Sequence, residues 1–534
     1  MNIIPKIQNV TYTEGKFDIC NLGNFSIAPQ LISAQEIFKE LFWDKLAKFK
    51  NTANCALDIL FDTSLPKEGY KIVIDKNGVN IFASTYKGVL YATKTLRVAT
   101  KIDCKTPCFL LDCCEACDHP EYEWRGQMLD EARYFFGKKA VLRLLDIMSL
   151  NKLNVFHWHL TDDTGWRIEI KKYPLLTEIG SKRSKSGIHG WSSVDNDNTP
   201  HSGFYTQADI KEIVAYALRL GIDVVPEIDM PGHFAAAFAS YSYLACRDIK
   251  VEVPYYFGGK VPTSQGIKDW NRSACIGKKS TFDFIYNVID EVSALFPFPY
   301  FHIGGDEAPK DEWKTCPDCN ALMKEKGLSD VDQLQCYFIN EIAKYLKTKN
   351  RTLIGWNEVL EGNLLDNSAL VQYWTDRKDN AVKKHLANGG KILISKHRFF
   401  YFDMCYCQYP LKNTYMFKPY FDGIKKKYAS QIVGVEGEMW TEWVPNVYKM
   451  DFQLFPRVQA LAEVSWNNSH KNFKEFLTRL ESYHDILDSF NVNYATTEIA
   501  TPKGKAHRLR EVTLWYGSNQ DSELNKNTEL KKLK

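Results

Sequence analysis

The sequence predicts an α/β chain in which a (β/α)8 TIM barrel follows a small α/β domain. Three observations carry that expectation. From about residue 120 onward, short apolar runs alternate with long amphipathic stretches, the texture of parallel βα units. Eight such runs can be counted, the number that closes a TIM barrel. Polar residues gather where the runs end, and a TIM barrel places its active site at those strand ends.

Taken in order, residues 1–118 hold the strand candidates ALDILFD (56–62), YKIVID (70–75) and VNIFAS (79–84), then the helix-like YKGVLYATKTLRVAT (86–100). The eight barrel strands fall at 124–132, 154–160, 223–229, 300–307, 352–359, 369–376, 391–403 and 432–440. Amphipathic helices fit 138–152, 206–221, 281–296 and 330–349. This places an N-terminal non-catalytic domain at 1–118, the barrel at 119–495 and a C-terminal extension at 496–534. The charge-rich end of that extension reads as a solvated terminus.

A chain of 534 residues, 45% hydrophobic and 13% aromatic, can bury a large core. Lys+Arg 68 against Asp+Glu 65 leaves a charge of +3, too weak to single out nucleic acid or a membrane surface as partner. Pro5 and polar residues interrupt the N-terminus before any signal-like apolar run, and no later run is long enough to span a bilayer. A cytoplasmic location is the expectation. The fourteen cysteines then read as reduced thiols. CPDC (316–319) has CxxC spacing but no second CxxC nearby to close a zinc tetrahedron, so no metal is assigned. The cysteine-rich stretch 104–117 reads as packing or a loop.

The strand ends are more informative. They carry Asp130 and Arg133, Asp162 and Asp163, Glu227, Asp229 and His233, Asp306 and Glu307, Trp356 and Glu358, Tyr373 and Trp374, Tyr401 and Asp403, Trp440 and Glu442. Carboxylates within a ring of aromatics suit a sugar, whose C–H faces rest on rings while its hydroxyls bond to charged groups. Glycoside cleavage usually needs two separated carboxylates. Here the obvious pair, Asp306 and Glu307, is consecutive in FHIGGDEAPK, and on an extended strand consecutive side chains diverge. A bare ion-pair site would explain two acids, but Gly304 and Gly305 before them permit close backbone approach to a ligand. His157 and His159 share one strand face and fit a hydrogen-bonded barrel interior better than a metal site.

RGQMLDEAR (125–133), NVFHWHLTDDTGWRIEI (154–170), PEIDMPGH (226–233), HIGGDE (302–307), GWNE (355–358), YFD (401–403) and GVEGEMWTE (434–442) resemble the ordered motifs of the family-20 β-N-acetylhexosaminidases. The resemblance covers about 120–465, and the preceding domain looks like that family's N-terminal α/β domain. It implies an exo-acting retaining hydrolase for terminal β-linked GlcNAc or GalNAc. The substrate's own 2-acetamido group would act as nucleophile through an oxazoline-type intermediate. Carried over by motif, Glu307 would be general acid and base, Asp306 would orient the acetamide N–H, and Tyr401 would bond its carbonyl oxygen. Trp356, Trp374 and Trp440 would wall the sugar, while Arg133, Asp403 and Glu442 would bind its hydroxyls. Asp162 and His233 would support the acid and hold it protonated. No cofactor is implied, and a homodimer is left open.

One departure stands out. Many members carry a further tryptophan after the YLD-type motif, whereas 404–423 contains none; Tyr415, Met416 or Phe417 are the expected substitutes. The rival readings are a barrel that binds carbohydrate without chemistry and a metal-dependent barrel hydrolase.

Overall fold

The computed structural model describes residues 2–188, 195–247, 250–257, 260–263, 266–269, 272–376, 379–469 and 471–515. Its centre is a closed barrel of eight parallel strands. In chain order these are Trp124–Asp130, Val155–His159, Asp223–Glu227, Tyr300–His302, Thr352–Trp356, Leu370–Tyr373, Lys391–Ile394 and Ile432–Met439. Each lies within a run read from the sequence, and the last pairs with the first to close the ring. The helices Lys138–Leu150, Gln207–Arg219, Lys279–Ser293 and Val331–Thr348 match the four expected crossovers. Local chemistry sets their starts: Thr206 and Asp209 form a reciprocal capping box, and Asp330 accepts from the Gln333 N–H. The fifth crossover departs from the regular plan, because Asn357–Asn363 makes only 3-10 turns.

The strand interiors stack in layers. At the N-terminal end Trp124, Val155, Val225, Ile354, Leu370 and Leu393 form an apolar plug. Above it sits a polar layer. Glu227 lies 3.1 Å from His157 Nε2 and 3.0 Å from His302 Nδ1, and Glu436 accepts from Trp124 Nε1 at 2.7 Å. Gly126 makes room for this layer, since a Cβ there would lie 2.1 Å from Glu436 Oε2. His157 is thus interior, as expected; burial works against its charge, but Glu436 and Glu227 together push its pKa up to about 10. The top layer is aromatic: Met128, Trp356, Tyr401 and Trp440.

The N-terminal domain is a six-stranded mixed sheet in the order Asn9–Asp18, Leu110–Asp118, Tyr70–Asp75, Gly78–Ala83, Cys55–Phe61 and Leu22–Ile27. The helix Tyr86–Thr100 packs between this sheet and the barrel. Lys94 Nζ bonds to the Leu220 carbonyl, Lys152 Nζ reaches Asp118 at 3.0 Å, and Arg125 Nη1 reaches Glu68 at 2.8 Å. All three contacts meet the barrel where strands begin, so this domain covers the end opposite the strand C-termini.

Two expectations change. Of the two readings of 104–117, packing holds and the loop does not for its second half, which enters strand Leu110–Asp118, pairs on both sides and buries Cys113 and Cys114. The fourth barrel strand stops at His302, so Asp306 and Glu307 stand on the loop beyond it. Their divergence comes from left-handed backbone at Gly304, Gly305 and Glu307 (φ +67°, +92° and +43°), not from a strand's pleat. No described helix is long and apolar enough to cross a membrane.

Candidate active site

At the strand C-termini the chain brings together the residues singled out from the sequence, except the proposed tryptophan substitutes and Tyr373, whose ring stacks on Phe421 and whose hydroxyl donates to Asp379. The loop Ile303–Glu307 is wedged into place, for a Cβ on Gly304 would fall 1.8 Å from Asp229 Oδ1. That close approach seats Asp306 inside the barrel mouth and turns Glu307 outward. The Asp306 side chain is 13% exposed and that of Glu307 44%. Both face one imidazole, with His233 Nε2 3.6 Å from Asp306 Oδ2 and 4.0 Å from Glu307 Oε2.

Behind His233 lies a chain of buried charge. His233 Nδ1 is 3.1 Å from Asp163 Oδ2 but 3.5 Å from Asp162 Oδ2. Asp163 also pairs with Arg272 at 2.5 Å, while Asp162 sits 2.8 Å from Arg133 Nη2. Asp163 shares with Asp162 the place beside His233, and Asp162 also ties the imidazole network to Arg133. Burial alone would keep Asp162 neutral; Arg133 and His233 more than offset it and hold its pKa well below the usual carboxylate range. His233 shows the converse balance, with Asp162 and Asp163 outweighing burial and raising its pKa well above normal.

Arg133 continues the network. Its guanidinium is 3.3 Å from Asp130, 3.8 Å from Glu442 and 5.0 Å above the Trp440 ring. Asp403 is buried and Glu442 half-buried nearby; burial raises both pKa values, and the Glu442 charge adds to the rise at Asp403. Asp403 Oδ1 and Asp306 Oδ1 accept no hydrogen bond from any described residue. Two buried oxygens left in that state at the mouth of a barrel are equipped to receive donors from a ligand.

The aromatic floor and wall follow. Trp356 is 1% exposed and donates to Glu227 Oε1 at 2.9 Å, so it is a floor locked by the polar layer below. Trp440 lies over it at 5.6 Å. Trp374, half-buried, stacks on Tyr401 with centroids 5.7 Å apart and planes 15° from parallel. Trp374 Nε1 donates to Glu358 at 2.9 Å, and burial followed by the Asp306 charge pushes the Glu358 pKa up to about 8. Glu358, Asp163, Asp229 and Arg272 thus belong to the site although only strand-end position marked the first three. Arg272 had no sequence signal, since it arrives on a long loop before helix Lys279–Ser293.

The proposed substitutes for the missing tryptophan do not reach the site. Tyr415 packs on Phe473 and Phe476, and Phe417 packs on Phe399, Phe400 and Phe421; both are buried in the outer core. Met416 is 39% exposed. From that segment Met404 is the residue that packs on the aromatic layer.

CPDC also acquires partners. Cys316 and Cys319 meet Cys246 and Cys275, and the four sulfur atoms lie within 4.8 Å of one another.

Residues 122–469 match the model of the glycosyl hydrolase family 20 catalytic domain, and 1–108 match domain 2 of the same family. A beta-hexosaminidase of Porphyromonas gingivalis is 35% identical over 92% of this chain, which spans 64% of that protein's length. Among solved structures, an exo beta-N-acetylglucosaminidase of Vibrio harveyi in complex with N-acetylglucosamine aligns with TM-score 0.80 and 28% identity over 93% of this chain and 78% of its own. A beta-N-acetylhexosaminidase of Bacteroides fragilis aligns with TM-score 0.77 and 30% identity, covering 94% of this chain and 99% of its own. The barrel and its preceding sheet are therefore those of this family, and the chain belongs to glycosyl hydrolase family 20.

Proposed function

We propose that the protein is an exo-acting, retaining β-N-acetylhexosaminidase that removes terminal non-reducing β-linked GlcNAc or GalNAc from oligosaccharides or glycans by substrate-assisted catalysis. The observation that carries this reading is the unequal pair on one loop. Asp306 keeps one buried oxygen free to accept, and its consecutive neighbour Glu307 is exposed where a leaving group would depart.

In the first step Glu307 gives its proton to the glycosidic oxygen as the C1–O bond breaks. The acetamide carbonyl oxygen of the same sugar attacks C1 and closes an oxazolinium ring. Asp306 accepts the acetamide N–H and offsets the positive charge that grows there, an interaction strengthened by its burial. Tyr401 donates to the acetamide oxygen and holds it against Trp374 and Trp440. In the second step the Glu307 carboxylate takes a proton from water; the hydroxyl adds to C1 and the acetamide re-forms. Two inversions give net retention, and every proton passes between Glu307, substrate and water.

Asp306 is set for the ionised form near neutrality. Burial, opposed by His233 and assisted by Glu307, pushes its pKa up to about 6. Arg133, Asp403 and Glu442 would bind hydroxyls of the terminal sugar, and a pocket closed by them admits a chain end. The test is proton NMR of early hydrolysis of an aryl β-GlcNAc: β-anomer first supports the reading, and α-anomer first overturns it.

A further inference from the structure

We propose that Cys246, Cys275, Cys316 and Cys319 bind one Zn²⁺ as a closed tetrathiolate site that fastens the loop after the third barrel strand to the loop after the fourth. The sulfur separations carry the argument. Cys275 and Cys316 are 3.6 Å apart, Cys275 and Cys319 3.8 Å, and Cys246 and Cys319 4.0 Å. With Zn–S bonds of about 2.3 Å, a tetrahedron has edges of about 3.8 Å. A disulfide needs about 2.05 Å, so none of these pairs is bonded as placed. Three of the four residues are buried and Cys246 is half-buried.

Two of the four sulfurs stand at a helix N-terminus. Cys316 caps the ten-residue helix Pro317–Lys326 and Cys319 lies in its first turn, where the helix N-terminus stabilises negative charge. The Cys275 sulfur lies at hydrogen-bond distance from both CxxC sulfurs. Gly277 is itself a fitted contact, because a Cβ there would lie 2.3 Å from both Asp318 C and Cys319 N. Only a glycine lets the Cys275 turn rest directly on the CxxC backbone. Further bonds clamp the same segments: Cys275 N–H to the Leu244 carbonyl at 2.8 Å, and Trp313 Nε1 to the Ala274 carbonyl at 3.0 Å. Metal binding would expel four thiol protons to solvent and leave a dianionic ZnS₄ group, with no coordination position open for water.

The position gives the site a consequence for the active centre. Arg272, the partner of Asp163, is three residues before Cys275, and Glu307 is nine before Cys316. Ala274 N–H bonds to the Pro231 carbonyl and Phe234 N–H to that of Arg272, which continues the clamp to His233. The ion would thus be a structural staple beneath the residues that position His233.

The full chain, purified without chelator from zinc-supplied cells, should contain one zinc per molecule by plasma mass spectrometry. X-ray absorption should show four sulfur neighbours at about 2.3 Å. A mercurial should release that zinc to a chromogenic chelator and lower the melting temperature. Cys246→Ser, the least buried change, should reduce bound zinc severalfold, whereas Cys108→Ser, at an exposed cysteine outside the cluster, should leave it at one. Stoichiometric iron, a disulfide among these four by mass spectrometry of alkylated protein, or four freely alkylatable thiols without metal would each overturn the proposal. If Cys246→Ser does not fold, the wild-type stoichiometry and absorption spectrum still decide.

Discussion

Replacing Asp306 with Asn keeps the shape of the side chain and removes its charge, which makes it a sharp probe of the mechanism. The carboxylate lies 3.6 Å from His233 and has one buried oxygen that accepts from no described residue. In the variant an amide NH₂ can face the acetamide N–H, setting donor against donor, and the growing positive charge loses its counter-charge. Losing one preorganised group aimed at developing charge costs about 10²–10³ in kcat, or roughly 2.7–4 kcal/mol. No covalent bond to Asp306 ever forms, so a loss of this size is not expected of a bystander. The pH profile adds a second signature. The wild-type Asp306 pKa is raised to about 6 by burial, so the accepting form dominates above that pH and is lost below it. Wild-type kcat/KM should then fall roughly tenfold per pH unit below this value, and Asp306→Asn should lose that acid limb along with the rate. Initial rates with 4-methylumbelliferyl β-GlcNAc from pH 4.5 to 8 measure both. A variant within threefold of wild type, or one keeping the same limb, would refute the assignment.

Other expectations follow from the same geometry. Glu307→Gln should lower turnover of a poor leaving group by about 10²–10⁴ and of 4-nitrophenyl glycosides far less, because an activated phenolate leaves without a proton. The ratio between two leaving groups is the readout. Asp163→Ala leaves Arg272 without its buried partner and His233 with Asp162 alone, and should destabilise the fold by roughly 3–5 kcal/mol, measured by urea unfolding. Asp162→Ala should instead raise KM most, through Arg133. Gly304→Ala must place a Cβ on Asp229 at a positive φ, at a cost of roughly 1–3 kcal/mol, visible as a lower melting temperature with reduced kcat.

The barrel was legible because buried parallel strands leave apolar runs and their crossovers leave amphipathic ones. What escaped had weaker patterning. Strand Asn9–Asp18 is mostly exposed and polar, and Leu110–Asp118 is built from Cys, Asp and Glu, residues with little strand preference. The acids and aromatics of the site were legible from their positions at strand ends. That both adjacent Asp162 and Asp163 turn toward His233 was not, since only the fold brings the two carboxylates to one imidazole. Tyr415 and Phe417 show the same limit, for nearness in sequence to the YFD motif does not say that helix Phe473–Ser489 will bury one of them. The cysteines are the extreme case. Cys246 and Cys275 carry no motif, and their meeting with CPDC exists only once the loops after the third and fourth barrel strands are folded.

The central claim is that the substrate's acetamide, not an enzyme side chain, attacks C1. It is tested most directly with a series of aryl β-glucosaminides whose N-acetyl methyl carries none, one, two or three fluorines. Each fluorine withdraws electrons from the carbonyl oxygen while barely changing the sugar's size. If the acetamide is the nucleophile, log kcat/KM should fall steeply and steadily along the series. A flat response would contradict the account and place the nucleophile on the protein.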